Sequence, residues 1–173
     1  DRVVASCREA WGRIDVLHNN VGIVVLGGPV ELAEADWDRV VRVNLKSMFL
    51  TCKAVLPVML EQFARDGKGG AIVNIASIAG IRYTGVPYIA YTTTKGAVIP
   101  YTQGVALQYA AHGIRANCVL PGLMNTPMIV EPLKVAYGGG SVAAMIEARD
   151  KQCPTDKMGD AWDVAYASLF LAW

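Results

Sequence analysis

The chain has 173 residues, enough for one domain with a sizeable core, and 53% of them are hydrophobic. Its 16 basic and 15 acidic residues leave a net charge of +1 and are spread along the whole length, which argues against nucleic acid as a partner. No uninterrupted apolar run approaches the roughly 18 residues that a membrane-spanning helix needs, so we also expect no membrane partner.

Short apolar runs bounded by turn residues alternate with longer helical patterns, and this alternation predicts an α/β fold with a buried parallel sheet. The chain begins in a helix-like stretch. Three strands are predicted, at residues 14–20 (IDVLHNN), 71–77 (AIVNIAS) and 114–120 (IRANCVL). Each of them leads, at its carboxyl end, into a polar or glycine-containing stretch.

Two long helices are predicted between these strands. Residues 34–65 carry apolar side chains at a spacing of three and four, with Pro57 expected to bend the helix. Residues 88–112 show the same pattern, with a kink expected at Pro100 and a left-handed end at Gly113.

The region after the third strand is harder to interpret. Residues 129–158 are interrupted by the run GGGS at 138–141 and are predicted to be a mobile excursion. Residues 160–173 have a helical periodicity, with Asp160 as the expected N-cap.

The cysteines and histidines give no sign of a metal site or of disulfides. His18 and His112 lie far apart, and they are most simply a packed strand residue and a last-turn helix residue. The cysteines form no C-x-x-C pair, which favours reduced, buried thiols in a cytoplasmic protein. They are Cys7, Cys52, Cys118 and Cys153.

Candidate functional residues follow each of the predicted strands. They are the stretch NNVG at 19–22, Ser77, and the stretch PGLMNTP at 121–127. In open parallel sheets, ligands bind in the crevice beyond the carboxyl ends of the strands. We therefore expect these residues to share one site.

The stretch YTTTK at 91–95 adds a phenol and an ammonium group. Because a helix turns once per 3.6 residues, Tyr91 and Lys95 would lie on one helix face. A nearby cation favours the ionised form of a phenol, so the pair could act as a proton-transfer device. An ordinary surface pair at this spacing is the alternative.

The chain resembles the short-chain dehydrogenase/reductase family. The matching stretches follow in the family's order: NNVG, VNLKSMF with Asn44, GGAIVNIAS with Ser77, YTTTK, and IRANCVLPGLMNTP. The resemblance implies a Rossmann-type doubly wound parallel sheet, in which the fourth, fifth and sixth strands of the family are readable. Residues 1–173 would then form a single, partial catalytic domain.

The resemblance also implies an activity, hydride transfer between NAD or NADP and a small alcohol or carbonyl substrate, in a homodimer or homotetramer. Tyr91 would be the general acid/base, and Lys95 would lower its pKa and steady the cofactor ribose. Ser77 would orient the substrate oxygen, and Asn44 would hold a water for proton relay. To exchange protons near neutral pH, the phenol must have its pKa lowered from about 10, at a cost of about 3 to 4 kcal/mol.

The cofactor-binding residues implied by the resemblance form a longer set, and several have other interpretations. Ser77 could simply satisfy a backbone group at a strand end, and Asn44 could be a satisfied buried amide. Met124 and Met128 could line a substrate pocket or fill the core equally well. The set comprises Asn19, Asn20, Gly22, Tyr91, Lys95, Pro121, Gly122 and Thr126.

The family's Gly-rich phosphate-binding turn is not found after any predicted strand, and neither is the residue that reads the adenosine ribose. NAD and NADP therefore remain equal alternatives. We expect the chain to be the catalytic two thirds of a longer product. A non-catalytic assembly module that cannot bind a dinucleotide is the alternative function.

Overall fold

The computed structural model describes residues 2–173 and has the α/β architecture expected from the sequence. Seven α-helices and three strands alternate along the described chain. Their bounds are α1 (Arg2–Trp11), β1 (Val16–Asn19), α2 (Glu34–Val41), α3 (Ser47–Asp66), β2 (Gly70–Ile75), α4 (Ile89–Tyr109), β3 (Ile114–Val119), α5 (Pro127–Gly138), α6 (Val142–Asp150) and α7 (Ala161–Ala172).

The strands form one parallel sheet in the order β1-β2-β3. Val16 pairs with Ala71, and Ile72 pairs with Ala116, so that β2 is central. All three predicted strands are confirmed, and each is slightly shorter than the apolar run that predicted it. Because the strands are parallel, their carboxyl ends meet at one edge of the sheet.

Helices cover both faces of the sheet, as a doubly wound fold requires. Ile72 packs against α3 and α4, whereas His18 and its register partner Val73 project to the opposite face, where His18 meets Ser168 of α7. The main core lies on the α3 and α4 side. Its buried members are Cys52, Val55, Leu56, Met59, Ile72, Val105 and Ile114.

The first long helical segment runs from Glu34 to Asp66, close to the predicted 34–65, and it is interrupted by a π-helical turn at Arg42–Lys46. Asn44 lies in that turn and is completely buried. Pro57 lies inside α3, which continues through it, so the bend there stays a prediction. Gly67 ends the helix in the left-handed conformation, with φ of 73°.

The second long helix, α4, is followed by a 3₁₀ turn at Ala110–His112. Gly113 then adopts the left-handed conformation, with φ of 62°, as predicted. The His112 ring packs edge-on against Phe63, with 5.8 Å between the ring centroids. Pro100 lies within α4, and the kink expected there also stays a prediction.

The structure corrects the description of the region after β3. The chain forms α5 and α6 there, which pack together around Leu133 and Met145, whereas the mobility expected of this region stays a prediction. The glycine run makes the turn between them, because Gly139 and Gly140 take positive φ values of 57° and 101° that suit glycine. Ser141 then caps α6 by accepting a hydrogen bond from Ala144 N.

The predicted N-cap of α7 is confirmed as a reciprocal pair. Asp160 Oδ1 accepts from Asp163 N at 3.3 Å and from Trp162 N at 2.7 Å, and Asp163 Oδ2 accepts from Asp160 N at 2.8 Å. At the other end of α7, the Arg115 guanidinium donates to the carbonyl oxygens of Leu171 and Trp173 at 2.8 and 2.9 Å. These contacts fix α7 against β3.

One helical run, Glu34–Asp66, is long and apolar enough to cross a membrane by length and composition alone. Its most apolar window of 18 residues has a mean hydropathy of 1.4, and 39% of that window is buried within the chain. The core helix of a globular domain passes the same test, so this run is weak evidence for a membrane span.

The expectation of four buried thiols is wrong for three of them. Cys52 is buried in the main core, and burial raises the pKa of its thiol. Cys7, Cys118 and Cys153 are partly exposed. Cys7 is partly exposed because it lies on α1, a helix with no buried residue.

Candidate active site

A cavity of about 640 Å³ lies at the carboxyl ends of the three strands. Its walls come from the segments after β1, β2 and β3, from the start of α4, and from α5, α6 and α7. Eight of the ten predicted site residues line it. They are Asn20, Gly22, Ser77, Tyr91, Lys95, Pro121, Gly122 and Thr126.

Ser77 is held where the chain leaves β2. The pairing with the β3 segment continues beyond the strands, since Ala76 N donates to Val119 O at 2.8 Å and Ile78 N donates to Pro121 O at 3.1 Å. Ser77 Oγ accepts from Ala79 N at 3.1 Å. The Ser77 hydroxyl also forms a hydrogen bond with the phenol of Tyr91 at the cavity wall.

Tyr91 and Lys95 lie one turn apart on α4, and both side chains line the cavity. Lys95 is only 3% exposed, and its Nζ donates to Ile75 O at 2.7 Å. Burial lowers the pKa of Lys95 to about 8. The Nζ atom lies 5.8 Å from the centroid of the Tyr91 ring, within the range of a cation–π interaction.

The pKa of Tyr91 differs from the expectation. Burial raises the pKa of the phenol above its ordinary value of 10, and a hydrogen bond with Ser77 offsets only part of that rise. The Lys95 ammonium is directed at the Ile75 carbonyl, which accounts for the lack of a net lowering by Lys95. Burial therefore favours the neutral, protonated form of the Tyr91 phenol.

Asn44 lies beneath the cavity and contacts the segment after β1. Its Oδ1 accepts from Ile23 N at 2.8 Å, and its Nδ2 donates to Ile23 O at 2.9 Å. Nδ2 also approaches Thr94 Oγ1 on α4 at 3.3 Å. The structure thus gives Asn44 the contacts of a satisfied buried amide that joins this segment to α4.

Gly22 lies directly against α4, which carries Lys95, and against the π-helical turn that carries Asn44. A Cβ atom at this position would lie 3.3 Å from Lys95 Nζ and 3.5 Å from Asn44 Oδ1. The absence of a side chain therefore allows the chain to pass close to the buried ammonium.

Asn19 is not brought to the cavity, unlike its neighbour Asn20. It is 7% exposed, and its Nδ2 donates to Asn74 Oδ1 at 2.8 Å while its Oδ1 accepts from Thr51 at 2.8 Å. Because residues alternate along a strand, Asn19 projects into the α3 and α4 side of the sheet. It braces the sheet and has no polar atom left for a ligand.

The open alternatives for the methionines are answered by the structure. Met124 and Met128 both line the cavity, and Met128 is 42% exposed.

Val21 lies at the cavity wall and is 67% exposed. His18 also reaches the cavity, where its Nε2 lies 3.2 Å from Ser168 Oγ.

Sequence reasoning missed three polar side chains that also line the cavity, those of Thr84, Tyr88 and Arg149. The Tyr88 ring packs edge-on against the Tyr91 ring, with 5.3 Å between the centroids. Tyr88 lies only three residues before Tyr91, at the N-cap position of α4, so its closeness in the sequence could have indicated it. Arg149 carried no such signal, because its position depends on how α6 packs.

Within residues 2–173, no group of three or more histidine, cysteine, aspartate or glutamate side chains could hold a metal ion.

The comparisons with known proteins agree with this architecture. Residues 1–134 match the family model described as short chain dehydrogenase. The chain is 42% identical, over 177 aligned positions, to 2-(R)-hydroxypropyl-CoM dehydrogenase from Xanthobacter autotrophicus, covering 98% of the chain and 64% of that protein. The chain therefore belongs to the short-chain dehydrogenase family.

Solved structures resemble this one closely. Xylitol dehydrogenase bound to NAD⁺ is 30% identical with a TM-score of 0.87, over 99% of this chain and 67% of that one. ElxO with NADP bound is 32% identical with a TM-score of 0.84, over 99% and 65%. The chain spans less than two thirds of the length of the curated relatives it matches, for example 64% of the Xanthobacter enzyme and 54% of 2-keto-3-deoxy-L-fuconate dehydrogenase from Xanthomonas campestris.

Proposed function

We propose that this chain supplies the catalytic site of an NAD- or NADP-dependent oxidoreductase that interconverts an alcohol and a carbonyl compound. The observation that carries the proposal is the convergence of Ser77, Tyr91 and Lys95 on one cavity at the strand ends. A hydroxyl, a phenol and a buried ammonium are the groups that acid/base chemistry at a carbonyl oxygen needs.

A nicotinamide riboside group would occupy the part of the cavity formed by the segments after β1 and β3. Asn20, Gly22 and the segment from Pro121 to Thr126 would hold it, and the close passage of Gly22 leaves the Lys95 ammonium beside this wall. The nicotinamide supplies or accepts the hydride when it is bound. Similarity to both an NAD⁺-bound and an NADP-bound structure supports this cofactor class without favouring either member.

The residues of the chain divide the remaining work. Ser77 donates a hydrogen bond to the substrate oxygen, where negative charge develops during reduction. Tyr91 then transfers its phenolic proton to that oxygen. The Lys95 ammonium donates to Ile75 O, so its role in this proposal is to place a positive charge 5.8 Å from the centroid of the Tyr91 ring and not to lower the pKa of the phenol.

The raised pKa of Tyr91 favours the reduction direction at neutral pH. A phenol that holds its proton is ready to act as a general acid, whereas alcohol oxidation needs the phenolate. Lys95 keeps most of its charge below its own pKa of about 8. We therefore propose that carbonyl reduction is the faster direction near neutral pH.

The experiment has a binding arm and a turnover arm. Calorimetry measures the binding of NADH and NADPH, and the near-ultraviolet absorbance of the reduced nicotinamide measures its consumption with a panel of ketones and aldehydes. Binding of one cofactor together with carbonyl-dependent consumption supports the proposal. If neither cofactor binds, the alternative of a non-catalytic assembly module replaces it.

A further inference from the structure

Arg149 is a buried cation on the wall of the active-site cavity. It lies near the end of α6, is only 5% exposed, and lines the same cavity as Ser77 and Tyr91. Its Nε donates to Met158 Sδ at 3.3 Å, and its guanidinium carbon lies 5.4 Å from the centroid of the Tyr137 ring.

These partners do not compensate the charge. A thioether is a weak acceptor and an aromatic ring face carries only partial negative charge, whereas a guanidinium has five N–H donors. Among the described residues, no carboxylate lies within ion-pair distance of Arg149; the ion pairs involve other side chains. A buried charge without a counter-charge is costly unless a ligand supplies one.

The position of Arg149 relates it to the proposed reaction. Its charge acts on Tyr88, whose pKa burial raises and Arg149 lowers in part. Tyr88 in turn packs against Tyr91. Arg149, Tyr88 and Tyr91 all line the same cavity.

The cavity that Arg149 lines also has apolar walls. They include Met124, Ile129, Pro132, Leu133 and Val164. A cation on the wall of a cavity with an apolar lining suits a ligand with an apolar body and one anionic group. A guanidinium matches carboxylate, sulfonate and phosphate groups with two parallel hydrogen bonds.

We propose that Arg149 binds the anionic group of a substrate whose carbonyl oxygen lies at Ser77 and Tyr91. This inference rests on the proposed function and narrows its substrate class to carbonyl compounds that carry a carboxylate, sulfonate or phosphate. The chain's own Arg149 supplies the selectivity, and the apolar lining accommodates the carbon chain between the two ends.

The test uses straight-chain methyl-keto acids, from levulinate upward in length, each compared with its methyl ester. In the wild-type protein we expect one chain length to be preferred as the acid over its ester, by about 10- to 100-fold in kcat/KM. Arg149→Gln should lower the acid-to-ester ratio of kcat/KM by about 10- to 100-fold, which removes the preference. Arg149→Lys should lower the ratio by less, because it keeps the positive charge. Arg82→Gln removes an exposed arginine outside the cavity lining and should leave the ratio unchanged.

Calorimetric binding of the same acids in the presence of cofactor separates this inference from the proposed function. If no carbonyl compound is reduced, but an acid binds to the wild type and not to Arg149→Gln, the proposed function fails and the anion site stands. If the wild type reduces esters as well as acids at every length, the anion site is refuted without any variant. Weaker cofactor binding by Arg149→Gln, with an unchanged acid-to-ester ratio, also refutes it.

Discussion

Gly80 and Gly96 approach each other so closely that neither position has room for a side chain. A Cβ on Gly80 would lie 2.6 Å from Gly96 N, and a Cβ on Gly96 would lie 2.9 Å from Gly80 O. Gly80 ends the 3₁₀ turn that follows Ser77, and Gly96 follows Lys95 on α4. This backbone contact therefore sets the distance between the serine and the tyrosine–lysine pair.

Gly96→Ala should separate these two elements. The added Cβ atom clashes with Gly80 O, a backbone atom that cannot rotate away. We therefore expect the free energy of unfolding to fall by about 1 to 3 kcal/mol. The rate of carbonyl reduction should fall as well, because Ser77 moves away from Tyr91. Chemical denaturation and steady-state kinetics measure the two effects.

Gly104→Ala is the matched control for this change. It lies on the same helix, and its Cβ would meet only Gln108 Nε2 at 3.9 Å, an ordinary contact. An alanine there should stabilise the helix by about 0.5 to 1 kcal/mol. If Gly96→Ala is as stable and as active as Gly104→Ala, the close contact does not position the site.

Asn44→Ala should free the segment after β1. The substitution leaves both Ile23 N and Ile23 O without their partner, so we expect a loss of about 2 to 4 kcal/mol in the free energy of unfolding. Because Ile23 adjoins Gly22 at the proposed cofactor wall, KM for the cofactor should rise more than kcat falls.

Gln103→Ala, at an exposed glutamine of α4 outside the cavity lining, controls for the loss of a side-chain amide. The proton relay that the family resemblance implies would give a different result for Asn44→Ala. In that case kcat would fall and its pH profile would change, while stability and cofactor KM stayed near those of the wild type.

Lys95 should make stability depend on pH. Its pKa is 10.5 in the unfolded chain and about 8 in the folded one, so between these values the unfolded state binds more protons. Stability therefore rises with pH in this window, as the cost of burying the charge is relieved. Relative to Lys95→Met, the wild type should gain about 3 kcal/mol from pH 8 to 10.5.

Denaturation curves at several pH values give the free energy of unfolding of the wild type and of Lys95→Met. Subtracting one free energy from the other at each pH cancels the contribution of tyrosines and cysteines whose titration Lys95→Met does not alter. Lys68→Met, at an exposed lysine, controls for the loss of one positive charge. A constant difference between wild type and Lys95→Met across this range would mean that the ammonium is not buried.

Much of the fold could be predicted from local sequence. Buried parallel strands are short apolar runs, so residues 71–77 and 114–120 were recognisable, and the left-handed Gly113 followed from the end of a helical pattern. The i, i+4 spacing also correctly placed Tyr91 and Lys95 on one wall of the cavity.

Other features depend on packing between distant segments. Asn19 and Asn20 are adjacent and chemically identical, and only the register of β1 decides which one is buried. The direction of the Tyr91 pKa depends on how completely the folded chain surrounds the phenol and where the Lys95 ammonium is directed. Arg149 reaches the cavity only because α5 and α6 fold back over it.

The most direct test of the proposed chemistry is the rate of carbonyl reduction by Tyr91→Phe, with cofactor affinity measured on the same sample. Removing the phenolic proton donor should lower kcat by about 100- to 10,000-fold while cofactor binding is retained. Tyr83→Phe, at an exposed tyrosine outside the cavity lining, should behave like the wild type. Reduction by Tyr91→Phe at the wild-type rate would contradict the assignment of Tyr91 as the general acid.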